Sequence, residues 1–446
     1  MNSSSGIHWT NTSVKKFAEG DNPIEKITRI ARELALKAME KGWSGPPFNP
    51  VQMSEFMGIP ISANADISDA RTIAETGGLK IEYNPKQPRS RVRFSIAHEL
   101  AHTLFPDVQE IPRNRGGTPE IDDDWQLEML CNIAAAEFVM PIGSIPSSSE
   151  VPSIETLMLQ RAHFDVSPEA YLIRIIKTTD IPIYMFCASS IDSSEGHRHY
   201  KIDYAIPSIT CRDLNLEGRL IPKTSAIHHC TAIGYTDHSE ESWVTGEPVS
   251  VEYVGIPAYP GSSLPRVLGI ARLNETRPNI KPIRFIHGNA LEPRGDGLKI
   301  VCQMVNDKAL RWGGGIARLS ATKFPKAQKE FTRDIQLIPS NERLGCIHFS
   351  SEQDDIIIAS LVAQAGFGRS SFPRIRYGAL KTCLDQLVQK AKVLSASVHM
   401  PRIGAGSAGG EWNVIEELIE DSLVNAAVNV TIYDLPPKKK QLGLFD

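Results

Sequence analysis

Apolar residues recur at helical spacing through residues 22–41, NPIEKITRIARELALKAMEK, with acids and bases on the other face, so an amphipathic helix is predicted. A second short helix is expected over 50–58, PVQMSEFMG, closed by Gly58. The alternation in GGLKIEYNP (77–85) predicts an edge strand stopped at Asn84-Pro85. RFSIAHELAHTLF (93–105) is a nearly continuous apolar run and reads as a buried helix. Residues 106–124 are polar and read as a loop whose acids suit a helix N-terminus. WQLEMLCNIAAAEFVM (125–140) is the next helix, ended by Pro141. After a linker at 144–153, ETLMLQRAHF and PEAYLIRIIK predict helix, turn, helix, with Ser167 as N-cap and Pro168 in the first turn.

Past residue 180 the period changes. IPIYMFCAS, VSVEYVGIPAY and RVLGIARL are short strands punctuated by Gly and Pro, which predicts a β-rich domain bounded by ETRPNIKP (275–282). From 283 to 434, β-branched runs alternate with helical segments such as LSATKFPKAQKEF, YGALKTCLDQLVQKA and WNVIEELIEDSLV. That pattern indicates a sheet covered by helices on both faces. A basic tail closes the sequence.

A chain of 446 residues exceeds one ordinary core, so several domains are expected. The net charge of −4 supplies no field for non-specific nucleic-acid binding. Seven scattered cysteines form no CxxC pair and are odd in number, which fits a reducing cytoplasm. No apolar run suits a secretory signal or a bilayer span, so no membrane partner is expected.

The chemistry concentrates at H-E-L-A-H, residues 98–102. Histidines four apart lie on one helical face and can hold one cation together. The spacing makes His98 and His102 candidate zinc ligands and Glu99 the candidate general base. A third ligand is needed. Glu128 in the following helix leads, with Asp122, Asp123 and Asp124 as positional rivals. The competing reading, two hydrogen-bonded histidines in a structural helix, gives no role to Glu99.

RFSIAHELAHTLFPD followed by EMLCNIAAAEFVMP (128–141) resembles the ImmA/IrrE family of zinc metallopeptidases over about residues 25–178. The resemblance implies that Glu128 completes the zinc shell and that the substrate is a regulatory, repressor-like protein. Cys131 and Ala134 depart from that pattern, which has a small residue and Phe there. The helix-turn-helix also recurs in that family. Here its second helix offers only Arg174 and Lys177 as bases, so a packing role is expected rather than DNA reading. Some members carry a GAF-like β domain where this chain has 180–276. The cluster His228, His229, Cys230 within it is read as an element face.

Two glycine stretches, W-G-G-G-I-A (312–317) and P-R-I-G-A-G-S-A-G-G-E-W (401–412), each follow a predicted strand and precede a helix. Glycine lets backbone N–H groups approach a phosphate, and the helix N-terminus favours the anion. Together with I-H-G-N-A-L (286–291), V-N-D-K-A-L-R (305–311) and Y-G-A-L (377–380), they resemble a macrodomain. The subgroup is that of terminal ADP-ribose–protein glycohydrolases and DNA ADP-ribosyl glycohydrolase antitoxins. The resemblance implies a three-layer α/β/α fold with an ADP-ribose cleft formed by Asn289, Asp307, Gly313, Gly314, Gly315, Ile316, Gly404, Ala405, Gly406, Ser407, Ala408 and Gly409. Asn289 stands where the family has an adenine-binding acid, Gln364 where the subgroup has a catalytic lysine, and Ala408 where it has an aspartate. Neither Gln364 nor Ala408 can perform that chemistry, so binding without cleavage is expected. In the tail, QLGLF (Gln441–Phe445) resembles the pentapeptide that docks on the bacterial sliding clamp.

The expected multidomain organisation is a mainly α HExxH zinc peptidase at 1–145, a helix-turn-helix segment at 146–179, a β-rich GAF-like domain at 180–276, a macrodomain at 282–436 and a tail at 437–446. The expected function is a cytoplasmic zinc endopeptidase with ADP-ribose, free or on a modified macromolecule, as the ligand of a sensing or targeting module in stress or phage-defence regulation. The alternatives are an ADP-ribosyl glycohydrolase or antitoxin, and a non-enzymatic scaffold.

Overall fold

The computed structural model describes residues 8–435, except 76, 110–112, 115–123, 146–149, 180, 193–197, 209, 212–213, 259–264, 274–282, 309–311 and 354. Asp122, Asp123 and the clamp-like pentapeptide therefore lie outside the described residues.

The chain divides into two compact units, the first made of 1–32, 44–141 and 145–278, the second of 33–43, 142–144 and 279–446. The first begins with α1 (Thr12–Ala18), α2 (Pro23–Glu40), whose residues from Glu33 onward belong to the second unit, and α3 (Pro50–Met57). Strands β1 (Ile61–Ala63), β2 (Ala70–Glu75) and β3 (Gly78–Tyr83) lead into α4 (Arg89–His102). Then come β4 (Arg113–Asn114), α5 (Asp124–Val139), α6 (Ile154–Phe164) and α7 (Pro168–Thr178). The sheet order is β1-β3-β2-β4. The stretch expected as an edge strand is thus interior: β3 pairs β1 in parallel and β2 antiparallel. β1 has three residues, too short to show an alternation, and so its flank was not legible.

Helices α4 and α5 pack on each other, and α4 also packs on β2. Each buries apolar residues: Ile96, Ala97, Leu100 and Ala101 on α4, and Leu130, Ala134, Ala135 and Phe138 on α5. Near the end of α5, the buried Glu137 carboxylate accepts from Arg32 Nε on α2 (3.1 Å) and Arg174 Nη1 on α7 (2.9 Å). This ion triad ties three helices together. Glu137→Ala removes the carboxylate shared by two guanidinium groups and is expected to cost about 3–5 kcal/mol, read as a lower urea midpoint for the first unit.

The first unit continues with β5 (Ile183–Asp192), β6 (Arg198–Pro207), β7 (Leu220–Ile221), β8 (Thr236–Glu241), β9 (Val249–Ile256) and β10 (Arg266–Arg272). They form one antiparallel sheet in the order β7-β6-β5-β10-β9-β8. Buried Glu241 accepts from Ser225, Ser239, Tyr253, Trp243 and the Ala226 N–H, which satisfies a charge otherwise costly to bury.

The second unit holds β11 (Arg284–His287), β12 (Lys299–Asn306), α8 (Gly315–Lys323), α9 (Pro325–Gln336), β13 (Ile347–Gln353), β14 (Ile356–Gln364), α10 (Tyr377–Leu394), β15 (Ser397–Pro401), α11 (Trp412–Ile419) and β16 (Val430–Asp434). The sheet order is β11-β16-β15-β12-β14-β13, parallel except for the antiparallel edge β13. LSATKFPKAQKEF is two helices rather than the single one expected. Pro325 has no N–H for the ladder and starts α9, while Phe324 adopts φ −127°, ψ 65°. Apolar clusters include Ile300, Cys302 and Leu384 in one, and Val301, Ile358 and Phe331 in the other. Neighbouring residues of β12 thus point to opposite faces, as a sheet covered on both sides requires.

Candidate metal centre and nucleotide cleft

The last turn of α4 brings His98, Glu99 and His102 to the interface with α5, where all three side chains are buried. Glu128, one turn into α5, bridges the histidines. Its Oε2 is 3.0 Å from His98 Nε2 and its Oε1 is 3.3 Å from His102 Nε2. The two Nε2 atoms are 3.2 Å apart. Two imidazole nitrogens and a carboxylate therefore converge on one point. Glu128 is 43% exposed, so the point is buried at the histidines and open at the glutamate.

The electrostatics favour a cation there. Burial opposes charge on His102, but Cys131, Glu128 and Glu99 around it prevail and push the imidazole up to about 10. Burial also opposes charge on Glu128, yet hydrogen bonds from His102 and His98 hold its carboxyl well below the usual range. A donor set of two histidine nitrogens and one carboxylate suits zinc with a coordination position left open. The residues present fit the metal that the motif implies.

Glu99 has 0% exposure, and its two oxygens differ. Oε2 accepts from the Thr72 hydroxyl of β2 at 2.8 Å, while Oε1 has no partner among the described residues. An unpartnered buried carboxylate oxygen is costly and marks the atom available for chemistry. Thr72 was not legible as a site residue, because 27 positions separate it from Glu99 and only the packing of β2 on α4 joins them. Thr72→Val is expected to lower turnover by about 10-fold through the lost bond to a charged group, with zinc content unchanged by metal analysis. Beside α4 opens a cavity of about 500 Å³ whose lining includes Asp69, Arg91 and Phe94. The ring of Phe94, one of the lining residues, lies 6.4 Å from that of His98.

In the second unit the glycines divide into two physical kinds. At Gly404 the left-handed backbone (φ +78°) favours glycine, and a Cβ would also press on the Cδ1 atoms of Ile375 and Ile415 at 2.8 and 2.9 Å. At Gly313, Gly314 and Gly406 no positive φ makes that demand, and a Cβ would meet nothing within 4 Å among the described residues. Helix α8 starts at Gly315 (φ +56°) without a side-chain cap on its first amides. Ile316 follows in its first turn, and Ala405, Ser407 and Gly409 complete the second loop, whose Gly409 N–H bonds to Gly406 O at 2.9 Å. The buried Ala408 carbonyl accepts from Arg374 and Ile375 N–H.

The polar candidates are engaged locally. Asn289 Oδ1 accepts from Leu291 N–H at 3.0 Å. Asp307 is buried, and its Oδ1 accepts from Gly366 N–H at 2.7 Å. Gln364, at the end of β14, donates to Gly366 O at 2.8 Å. Asp307 and Gln364 thus brace the same loop from its two sides.

The match to known proteins follows the same division. Residues 61–175 match the Peptidase_M78 model, described as the IrrE N-terminal-like domain. The ADP-ribose 1''-phosphate phosphatase of Saccharomyces cerevisiae is 26% identical over 180 residues, 34% of this chain and 98% of that protein. A macrodomain protein from Streptomyces coelicolor is 30% identical, over 34% of this chain and 99% of that one, with a TM-score of 0.30. The mouse chromodomain-helicase-DNA-binding protein 1-like is 26% identical over 169 residues, and this chain spans only 18% of its length. The chain therefore joins a segment that matches a peptidase-family model to one that is similar, over about a third of the chain, to an ADP-ribose 1''-phosphate phosphatase. More particularly, the chain carries an IrrE-like domain at 61–175, and its macrodomain homologues cover about a third of its length. Among the described residues no helix is long and apolar enough to cross a membrane.

Proposed function

We propose that this chain is a zinc-dependent endopeptidase governed by an ADP-ribose-binding macrodomain. The observation that carries the reading is the meeting of His98 Nε2, His102 Nε2 and the Glu128 carboxylate beside an unpartnered Glu99 Oε1. Zinc supplies Lewis-acid polarisation of the scissile carbonyl and an acidified water. His98, His102 and Glu128 hold the ion. Glu99 Oε1 takes the proton of the attacking water as the carbonyl carbon gains its new bond, and returns it to the leaving amine as the C–N bond breaks. Thr72 keeps Oε2 engaged and so fixes which oxygen carries that proton. The substrate is a repressor-like regulator in stress or phage defence.

The macrodomain acts as reader rather than hydrolase. Gly313–Ile316 and Gly404–Ala408 offer backbone N–H groups to the diphosphate, with the start of α8, which has no side-chain cap, favouring the anion. Gln364 is tied to Gly366 O and has no lysine chemistry, and Ala408 has no acid. The phosphatase relative's name supports the ligand class. A reducing compartment suits the seven scattered cysteines, none of which forms a CxxC pair.

The test is metal analysis of the purified full chain together with calorimetric titration of ADP-ribose. The reading expects one zinc per chain and one ADP-ribose bound without release of ribose products. Zinc without nucleotide binding removes the reader half, and nucleotide binding without zinc removes the peptidase half.

A further inference from the structure

Both candidate metal-binding imidazoles are held from the same helix. Asn132 Oδ1 lies 2.9 Å from His98 Nδ1, and Cys131 Sγ lies 3.3 Å from His102 Nδ1. These residues are consecutive on α5, one turn after Glu128. Each ring presents Nε2 to Glu128, so a cation there requires the tautomer with its proton on Nδ1. Each Nδ1–H then donates, to an amide oxygen at His98 and to sulfur at His102.

On distance alone, the sulfur completes a three-donor cluster with His98 and His102. The ring geometry decides otherwise. Cys131 sits on the Nδ1 edge of His102, while the convergence with His98 and Glu128 is on the Nε2 edge. One imidazole cannot turn both nitrogens on a single ion. Cys131 is also fully buried, so water does not compete for the bond.

We propose that Cys131 is a positioning residue: its sulfur accepts from His102 Nδ1–H, fixes the ring and tautomer, and thereby sets metal affinity without touching the ion. The inference rests on the metal reading of His98, His102 and Glu128. It assigns a role to the residue at which this chain departs from the small side chain of the resembling family. Partners of ligating histidines are ordinarily carboxylates, carbonyls or water, and losing one weakens metal binding.

The probe is cobalt(II), titrated into the metal-free full chain against a chromophoric chelator at fixed pH. The wild type is expected to bind one ion per chain with no thiolate-to-cobalt charge-transfer band in the near ultraviolet. Cys131→Ala weakens binding by about 10- to 100-fold, while Cys131→Ser, which keeps an acceptor, stays close to the wild type. Melting curves establish that each variant folds, and Cys131→Val replaces the alanine variant if that one does not. A strong charge-transfer band lost in Cys131→Ser makes the sulfur a ligand and overturns the proposal. Equal affinities in all variants overturn it as well, with the metal reading intact. No stoichiometric cobalt in the wild type overturns both.

Discussion

Replacing Glu99 with glutamine is expected to lower peptide-bond hydrolysis by about 100- to 10,000-fold, the range for losing a general base, while the chain keeps its zinc. The glutamine has nearly the same volume, so the packing of α4 on α5 and β2 is preserved. His98, His102 and Glu128 are untouched, and the Thr72 hydroxyl still finds an oxygen acceptor. What vanishes is a carboxylate oxygen able to take a proton. Because the substrate is unidentified, the readout is the set of new protein N-termini formed in a lysate treated with zinc-loaded wild type or variant. Fragments made by the wild type and missing with Glu99→Gln, at equal zinc content, support Glu99 as base. Identical fragments from both would place the cleavage elsewhere.

The second large effect is expected at Gly314. Its φ of −144° is open to any residue, and a Cβ there meets nothing within 4 Å among the described residues. Gly314→Glu therefore leaves the fold intact but puts a carboxylate at the uncapped start of α8, where a phosphate is proposed to lie. Charge repulsion and the filled space are expected to weaken ADP-ribose by at least about 100-fold, roughly 3 kcal/mol. Calorimetry on the full chain checks this, with an unchanged melting curve as the control. Undiminished binding would move the ligand away from the first glycine loop.

The two chemical centres differ in how far the sequence revealed them. The HELAH spacing fixes a face on any helix, and Glu128 reaches it from the next amphipathic segment, so the three converging side chains were legible. Thr72 and the Cys131 contact were not, because each depends on which strand or helix packs against α4 rather than on local spacing. The glycine loops were legible as loops, but only the geometry separates Gly404, which sits at φ +78°, from Gly313, Gly314 and Gly406, where no positive φ requires glycine. Asn289 and Asp307 are legible as polar groups of this domain, but the bonds that their Oδ1 atoms accept from Leu291 and Gly366 N–H depend on loop geometry. Among the strands, β8 (TDHSEE) escaped notice because an edge strand with solvent on one side carries polar residues at nearly every position.

The central claim is that one chain couples a metal-dependent peptidase to an ADP-ribose reader. The most direct test is the rate of appearance of new N-termini from the zinc-loaded full chain as ADP-ribose is titrated. The rate is expected to change with ADP-ribose and to saturate at the calorimetric affinity, with the change lost in Gly314→Glu and cleavage lost in Glu99→Gln. A cleavage rate indifferent to ADP-ribose that is bound, or fragments that persist in Glu99→Gln, would contradict it.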